Sequence, residues 1–221
     1  MAPTHYTKND NLTSMYNCLM TGAFSDLTII CGDKTWNAHR LVVCTKSSFF
    51  RAACAGNFQE AVTGLINLED DNTLAVKLMV DFLYSDDYDI DIDEELPPGS
   101  TSELCMHVQM YCLGDKYDIP ELQEAAVFKY EMFLKDEATP EEYLATIPEV
   151  YLPQASNDLR KSAVKYGRLK LSANDWSEES RTNLKRVMED VPEFGFDLVE
   201  AFITTPTSKC RMCRDRRITR T

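Results

Sequence analysis

Apolar positions fall into short periodic blocks separated by polar punctuation, and the period changes along the chain. Residues 12–20 carry Leu12, Met15, Tyr16, Leu19 and Met20 at the spacing of one helix face. Asp10 or Asn11 can cap that helix, and Gly22 can end it. Ser25–Cys31 is short and β-branched, and Gly32-Asp33 suits a two-residue hairpin turn. Lys34–His39 returns as a strand with Trp36 and Ala38 on one face. Helical spacing resumes at Arg40–Ala55 through Val42, Val43, Phe49, Phe50 and Ala53, and Ser47 can cap a second helix there.

Gly64–Leu68 reads as a third strand. The acidic run 69–73 precedes a helix with Leu74, Leu78, Met79, Phe82 and Leu83, and acids favour a helix N-terminus through the macrodipole. Asp86–Glu95 holds seven acids in ten residues and reads as an edge strand or loop. Helices follow at about 102–117 and 121–135, with Pro120 at the start of the second. Thr139-Pro-Glu-Glu142 has the form of a capping box, and further helices are expected at 156–170, 177–190 and 192–204. Strands come first and helices last, so the class is α+β: a small, mainly three-stranded sheet capped by a helical cluster, followed by extra helices.

Composition narrows the class of function. The 221 residues are 44% hydrophobic, enough for a sizeable core. No run of 18 apolar residues exists, so no membrane partner is expected, and the polar start lacks the form of a secretory signal. Eight cysteines without regular spacing then read as thiols of a reducing compartment, cytoplasmic or nuclear. The net charge of −13 is uneven: from Thr205 onward Lys209, Arg211, Arg214, Arg216, Arg217 and Arg220 stand against Asp215 alone. The rest is strongly acidic and repels phosphate backbones, so direct nucleic-acid binding is not expected.

Five segments, in order, resemble the BTB/POZ domain family. They are Ser25-Asp-Leu-Thr-Ile29 with Ala38-His-Arg-Leu-Val-Val-Cys-Thr-Lys-Ser-Ser-Phe-Phe50, then Asn57-Phe-Gln-Glu60, Ile66-Asn-Leu68, Val80-Asp-Phe-Leu-Tyr84, and Leu113-Gly-Asp-Lys-Tyr-Asp-Ile-Pro-Glu-Leu122. Ile147-Pro-Glu-Val-Tyr151 and Asp158-Leu-Arg160 are similar to the helical extension common in fungal BTB proteins. The division this implies is an N-terminal segment 1–9, a BTB/POZ domain 10–135, a helical extension 136–205, and a basic tail 206–221.

The resemblance implies a non-catalytic interaction module, a homodimer or a heterodimer with another BTB protein. It implies a dimer interface at Leu12, Met15, Tyr16, Leu19, Met20, Asp26 and Arg40, although periodicity alone equally allows the 12–20 stripe to pack on its own domain. Asp26 and Arg40 match a charged pair lining an interface pocket in some relatives, or form an ion pair fixing strand to helix. Phe58 and Glu60 resemble the element that cullin-3-binding members present, which makes a cullin-3 ubiquitin-ligase adaptor the alternative function.

Three chemical readings remain. Cys210 and Cys213 have metal-ligand spacing, so zinc, half a shared site or a thiol-dependent regulator stands beside two plain thiols; no other cofactor is expected. Asp87, Asp89, Asp91 and Asp93 alternate, but the residues at the sixth and twelfth positions, Ile92 and Pro98, do not suit a calcium loop. His39 with Cys44 lacks a third group to orient it, so a structural histidine is expected.

Overall fold

The computed structural model describes residues 10–90, 102–152, 157–173 and 176–204, with the side chains of 10–13 outside the description. The chain divides into two compact units, Met1–Tyr130 and Glu131–Thr221.

In the first unit, α1 (Asp10–Thr21) leads into a hairpin of β1 (Leu27–Cys31) and β2 (Lys34–Ala38), paired antiparallel. β3 (Leu65–Asn67) joins the other side of β1 in parallel, giving the order β2-β1-β3. β1 alternates, with Leu27, Ile29 and Cys31 buried between half-buried neighbours, as a central strand with one face on the core should. The expected helical stretch after β2 is two helices, α2 (Arg40–Lys46) and α3 (Ser48–Ala55). Ser47 joins them: its hydroxyl accepts from the Phe50 N–H at 3.0 Å and donates to the Tyr117 carbonyl at 2.6 Å.

The short helix α4 (Gln59–Thr63) closes at Gly64, whose φ of 65° lies in the left-handed region. α5 (Thr73–Ser85) is buried on nearly every side, from Ala75 through Tyr84, and forms the middle of the core. Its N-terminus departs from the macrodipole expectation. Asn72 caps it through Oδ1, which accepts from the Leu74 and Ala75 N–H groups at 3.0 and 3.1 Å. The first turn contains no acid; Asp71 instead accepts from Lys116 Nζ at 2.7 Å and from the Tyr117 hydroxyl. A neutral amide that reaches two orphan N–H groups outdoes a carboxylate already held by a cation.

After α5 the chain runs without a ladder over 86–90, with Tyr88 and Ile90 buried and Asp87 and Asp89 exposed; Asp91 and Asp93 lie outside the described residues. α6 (Glu103–Lys116) and α7 (Pro120–Asp136) follow. The second unit contains α8 (Pro140–Val150), α9 (Asn157–Ala173), α10 (Glu178–Asp190) and α11 (Pro192–Thr204). Thr139 and Glu142 form the expected capping box on α8, with reciprocal bonds of 3.2 and 3.0 Å. Tyr143 centres this unit, in ring contact with Tyr166, Trp176 and Phe194, and its hydroxyl donates to the Ala163 carbonyl at 2.8 Å.

Candidate interaction surface

α1 turns part of its apolar stripe inward. Leu19 is buried, and the Tyr16 hydroxyl donates to Asp81 Oδ1 of α5 at 3.0 Å. Met15 is half-buried, Met20 is 67% exposed, and the Leu12 side chain lies outside the description. Successive helix positions are about 100° apart, so Leu19 and Met20 cannot share one environment.

The loop after α1 displays Phe24, which is 90% exposed at a φ of 63°. A non-glycine residue in that region costs about 1–2 kcal/mol, so neighbouring groups must hold it. His39 does so. Its Nε2 lies 2.8 Å from the Ala23 carbonyl, which can only accept, so Nε2 carries a proton. In the neutral ring Nδ1 then accepts from the Tyr84 hydroxyl at 2.8 Å, and the Tyr84 oxygen accepts the His39 backbone N–H, also at 2.8 Å. Burial pushes the Tyr84 phenol up to about 12, so it remains a donor at any physiological pH.

Asp26 and Arg40 meet through each other's main chain rather than as a bidentate ion pair. The Asp26 carboxylate accepts the Arg40 backbone N–H at 2.7 Å, and Arg40 Nε donates to the Asp26 carbonyl at 3.2 Å. The rest of the guanidinium reaches the Cys54 carbonyl at 3.5 Å and the Ala61 carbonyl at 3.0 Å. Arg40 therefore ties the entry of β1, the end of α3 and the body of α4 together with one rigid fork.

What α4 presents is apolar. Phe58, just before its first residue, is 59% exposed, and Val62 is 88% exposed, while Glu60 is half-buried. The Phe58 ring lies over Gly56, where an added Cβ would come within 2.7 Å of it. Leu41 on α2 is 74% exposed. Periodicity hides Phe24, Leu41 and Val62: one sits in a turn, one precedes the apolar pair Val42–Val43, and one belongs to a five-residue helix too short to show a face.

The reactive side chains are committed elsewhere. Cys44 donates to the Phe50 carbonyl at 3.5 Å, and burial, then the neighbouring Cys54, pushes its thiol up to about 11. That is the reverse of nucleophile activation. His107 is buried with Nδ1 at 2.9 Å from the Tyr88 hydroxyl, and burial, then Lys129, pushes it down to about 4. Among the described residues no three His, Cys, Asp or Glu side chains are grouped to hold a metal ion. Cys210 and Cys213 lie outside the described residues.

Comparison with known proteins gives the family. The mouse Kelch repeat and BTB domain-containing protein 4 is 25% identical over 201 residues, covering 79% of this chain and 38% of the relative. The mouse Rho-related BTB domain-containing protein 1 is 24% identical over 112 residues, covering 50% and 16%. The chain thus spans less than half the length of either. The solved BTB domain of zebrafish PATZ1 aligns with a TM-score of 0.43 at 11% identity, over 56% of this chain and 90% of that one. The profile of the BTB/POZ domain matches residues 15–135, more than half of the sequence. The chain belongs to the BTB/POZ domain family, whose members are in general non-enzymatic protein–protein interaction modules.

Proposed function

We propose that this chain is a non-catalytic module of the cytoplasm or nucleus that self-associates through the α1 side of its BTB domain and recruits further proteins through α2 and α4. One observation carries the reading: Phe24, Leu41, Phe58 and Val62 are all more than half exposed on a scaffold whose polar groups brace them from behind. Burying Leu41, Phe58 and Val62, the three at α2 and α4, contributes roughly 4.5–9 kcal/mol gross. Association costs about 4–15 kcal/mol in lost freedom, so one such surface supports a modest affinity and two partners per chain are compatible with exchange.

Light scattering on the full chain tests the self-association. Twice the chain mass is expected for wild type, and a lower mass for Met20→Asp/Phe24→Asp. Leu19→Asp is unsuitable, because Leu19 is buried and the change would unfold the helix from α5. Identical masses for wild type and the double variant would remove the α1 contact.

The exposure of Phe58 supports a second reading, a cullin-3 ubiquitin-ligase adaptor. A ring more than half exposed beside a half-buried carboxylate has the chemistry of a hot spot. Capture of cullin-3 by the wild type, lost in Phe58→Ala and Glu60→Ala, is the expected result. No capture at micromolar protein would reject it.

A further inference from the structure

Among the described helices α9 is the most basic: Arg160, Lys161, Lys165, Arg168 and Lys170 stand against Asp158 alone, a net +4 in a chain of −13. Its neighbours α8 and α11 are acidic, but neutral donors meet three of their acids. Glu141 accepts from the Ser180 hydroxyl at 2.7 Å, Glu142 closes the capping box, and Asp197 accepts from the Tyr151 hydroxyl at 2.7 Å. The bases themselves divide by position. At 100° per residue, 158, 161, 165, 168, 169 and 172 share one arc of about 100°. Arg160 and Lys170 fall outside it and act within the unit. Arg160 donates to the Val150, Tyr151 and Leu152 carbonyls at 3.4, 3.3 and 3.3 Å, and Lys170 Nζ lies 5.5 Å from the centre of the Tyr166 ring. On the arc, Lys161 is exposed and holds only the equally exposed Asp158 at 3.0 Å, and Lys165 is exposed and forms no ion pair among the described residues. Arg168 is half-buried, and Leu169 beside it is 53% exposed.

We propose that this arc docks a short acidic helix of a partner protein, lying antiparallel to α9. Lys161, Lys165 and Arg168 occupy successive turns over about 10 Å, so carboxylates three and four residues apart on one helix face meet all three. Leu169 calls for an apolar side chain at the end of that row. Antiparallel packing opposes the two helix dipoles. Asp158 lies on the same arc and repels an acid placed beyond Lys161, which fixes the register.

Other anions fit less well. A nucleic acid or an anionic membrane extends far beyond the arc, and the rest of the chain sums to −17, which repels it. Leu169 offers a phosphate nothing. A short helix meets the arc alone and uses both its charge and its apolar end. The contact is independent of α1, α2 and α4.

Fluorescence anisotropy with the full chain at low salt tests this. The probe is a labelled helical peptide of about 18 residues with Leu at i and Glu at i+1, i+4 and i+8, the positions that face 169, 168, 165 and 161. Wild type should bind it saturably below about 1 mM. Lys161→Glu/Lys165→Glu should weaken binding at least about tenfold, Leu169→Gln about fivefold, and salt near 0.3 M about tenfold. The same peptide with Gln for Glu should not bind. The basic residues from Lys209 to Arg220 are unchanged in every variant, so binding through them sets the background. Positions 161, 165 and 169 are exposed, so the variants should melt as wild type does. Phe58→Ala should bind the peptide like wild type, which separates this contact from the α4 surface. Equal affinity of wild type and the Glu/Glu variant, no saturable binding below about 1 mM, or an 18-nucleotide oligothymidylate or phosphatidylserine vesicles bound as tightly as the peptide would overturn the proposal.

Discussion

Replacing Tyr84 by Phe removes one oxygen and leaves two buried groups stranded. The Tyr84 hydroxyl accepts the His39 backbone N–H and donates to His39 Nδ1, both at 2.8 Å. Tyr84 is 1% and His39 7% exposed, so water cannot readily replace either bond. A buried polar group left without its partner costs about 1–3 kcal/mol. Two groups with partial relaxation give an expected loss of about 2–4 kcal/mol, a large share of the ~5–15 kcal/mol that holds a domain together. Urea unfolding followed by Trp36 fluorescence, with Trp176→Phe in both proteins, reports on the first unit alone. The midpoint should fall with the slope unchanged. A loss below about 0.5 kcal/mol would mean that His39 is not held this way, and its ring would again be open to a chemical role.

Acid should weaken the first unit through His107. Its folded value of about 4 lies below the ordinary 6.5, so its contribution is complete above pH 6.5 and is lost as pH falls toward 4; by pH 5 about 2 kcal/mol should be gone. His107→Gln should flatten that part of the stability–pH curve, and an unchanged slope would count against it. Arg40→Ala should loosen α4 and cost about 1–3 kcal/mol, and Arg40→Lys should not rescue it, because one ammonium cannot span the Asp26, Cys54 and Ala61 carbonyls. Hydrogen exchange at 59–63 is the readout, and protection equal to wild type would refute the strut. Gly64→Ala should cost about 1–2 kcal/mol at its φ of 65°, with the Thr28 N–H to Gly64 carbonyl bond of 2.7 Å weakened; an unchanged melting curve would show that the turn relaxes.

Local chemistry was legible from sequence wherever it acts over a few residues. The Ser47 cap, the Gly32–Asp33 turn, the Thr139–Glu142 box and the helices 178–190 and 192–204 each depend on groups within one turn of each other. Helix α4 was missed because five residues carry too little period to register. The Asn72 cap was missed because the neighbouring acids offered a plausible alternative, and only the distant Lys116 and Tyr117 take Asp71 out of competition. The α1 stripe was ambiguous for the same reason. Whether an apolar residue packs on its own domain depends on what α5 places opposite, and Asp81 is 65 residues from Tyr16.

The residues that looked most like chemistry are the ones turned into struts, and that bears on function. Asp26, His39 and Arg40 lie in one stretch of sequence, yet each bonds to main-chain groups, holding Ala23, the start of α2, and Ala61. Main-chain partners do not vary with side-chain substitution, so the braces fix backbone position whatever residue is displayed there. Phe24 sits one residue beyond the Ala23 brace, and Val62 one residue beyond Ala61. A side chain displayed from a fixed backbone loses less freedom on binding than one on a mobile loop, and that lowers the ordering cost of association. In a catalytic site the same polar groups would have to be left available to a substrate. Here His39, Asp26 and Arg40 are spent on main-chain partners, and in the proposed reading the apolar residues beside them form the contact surface.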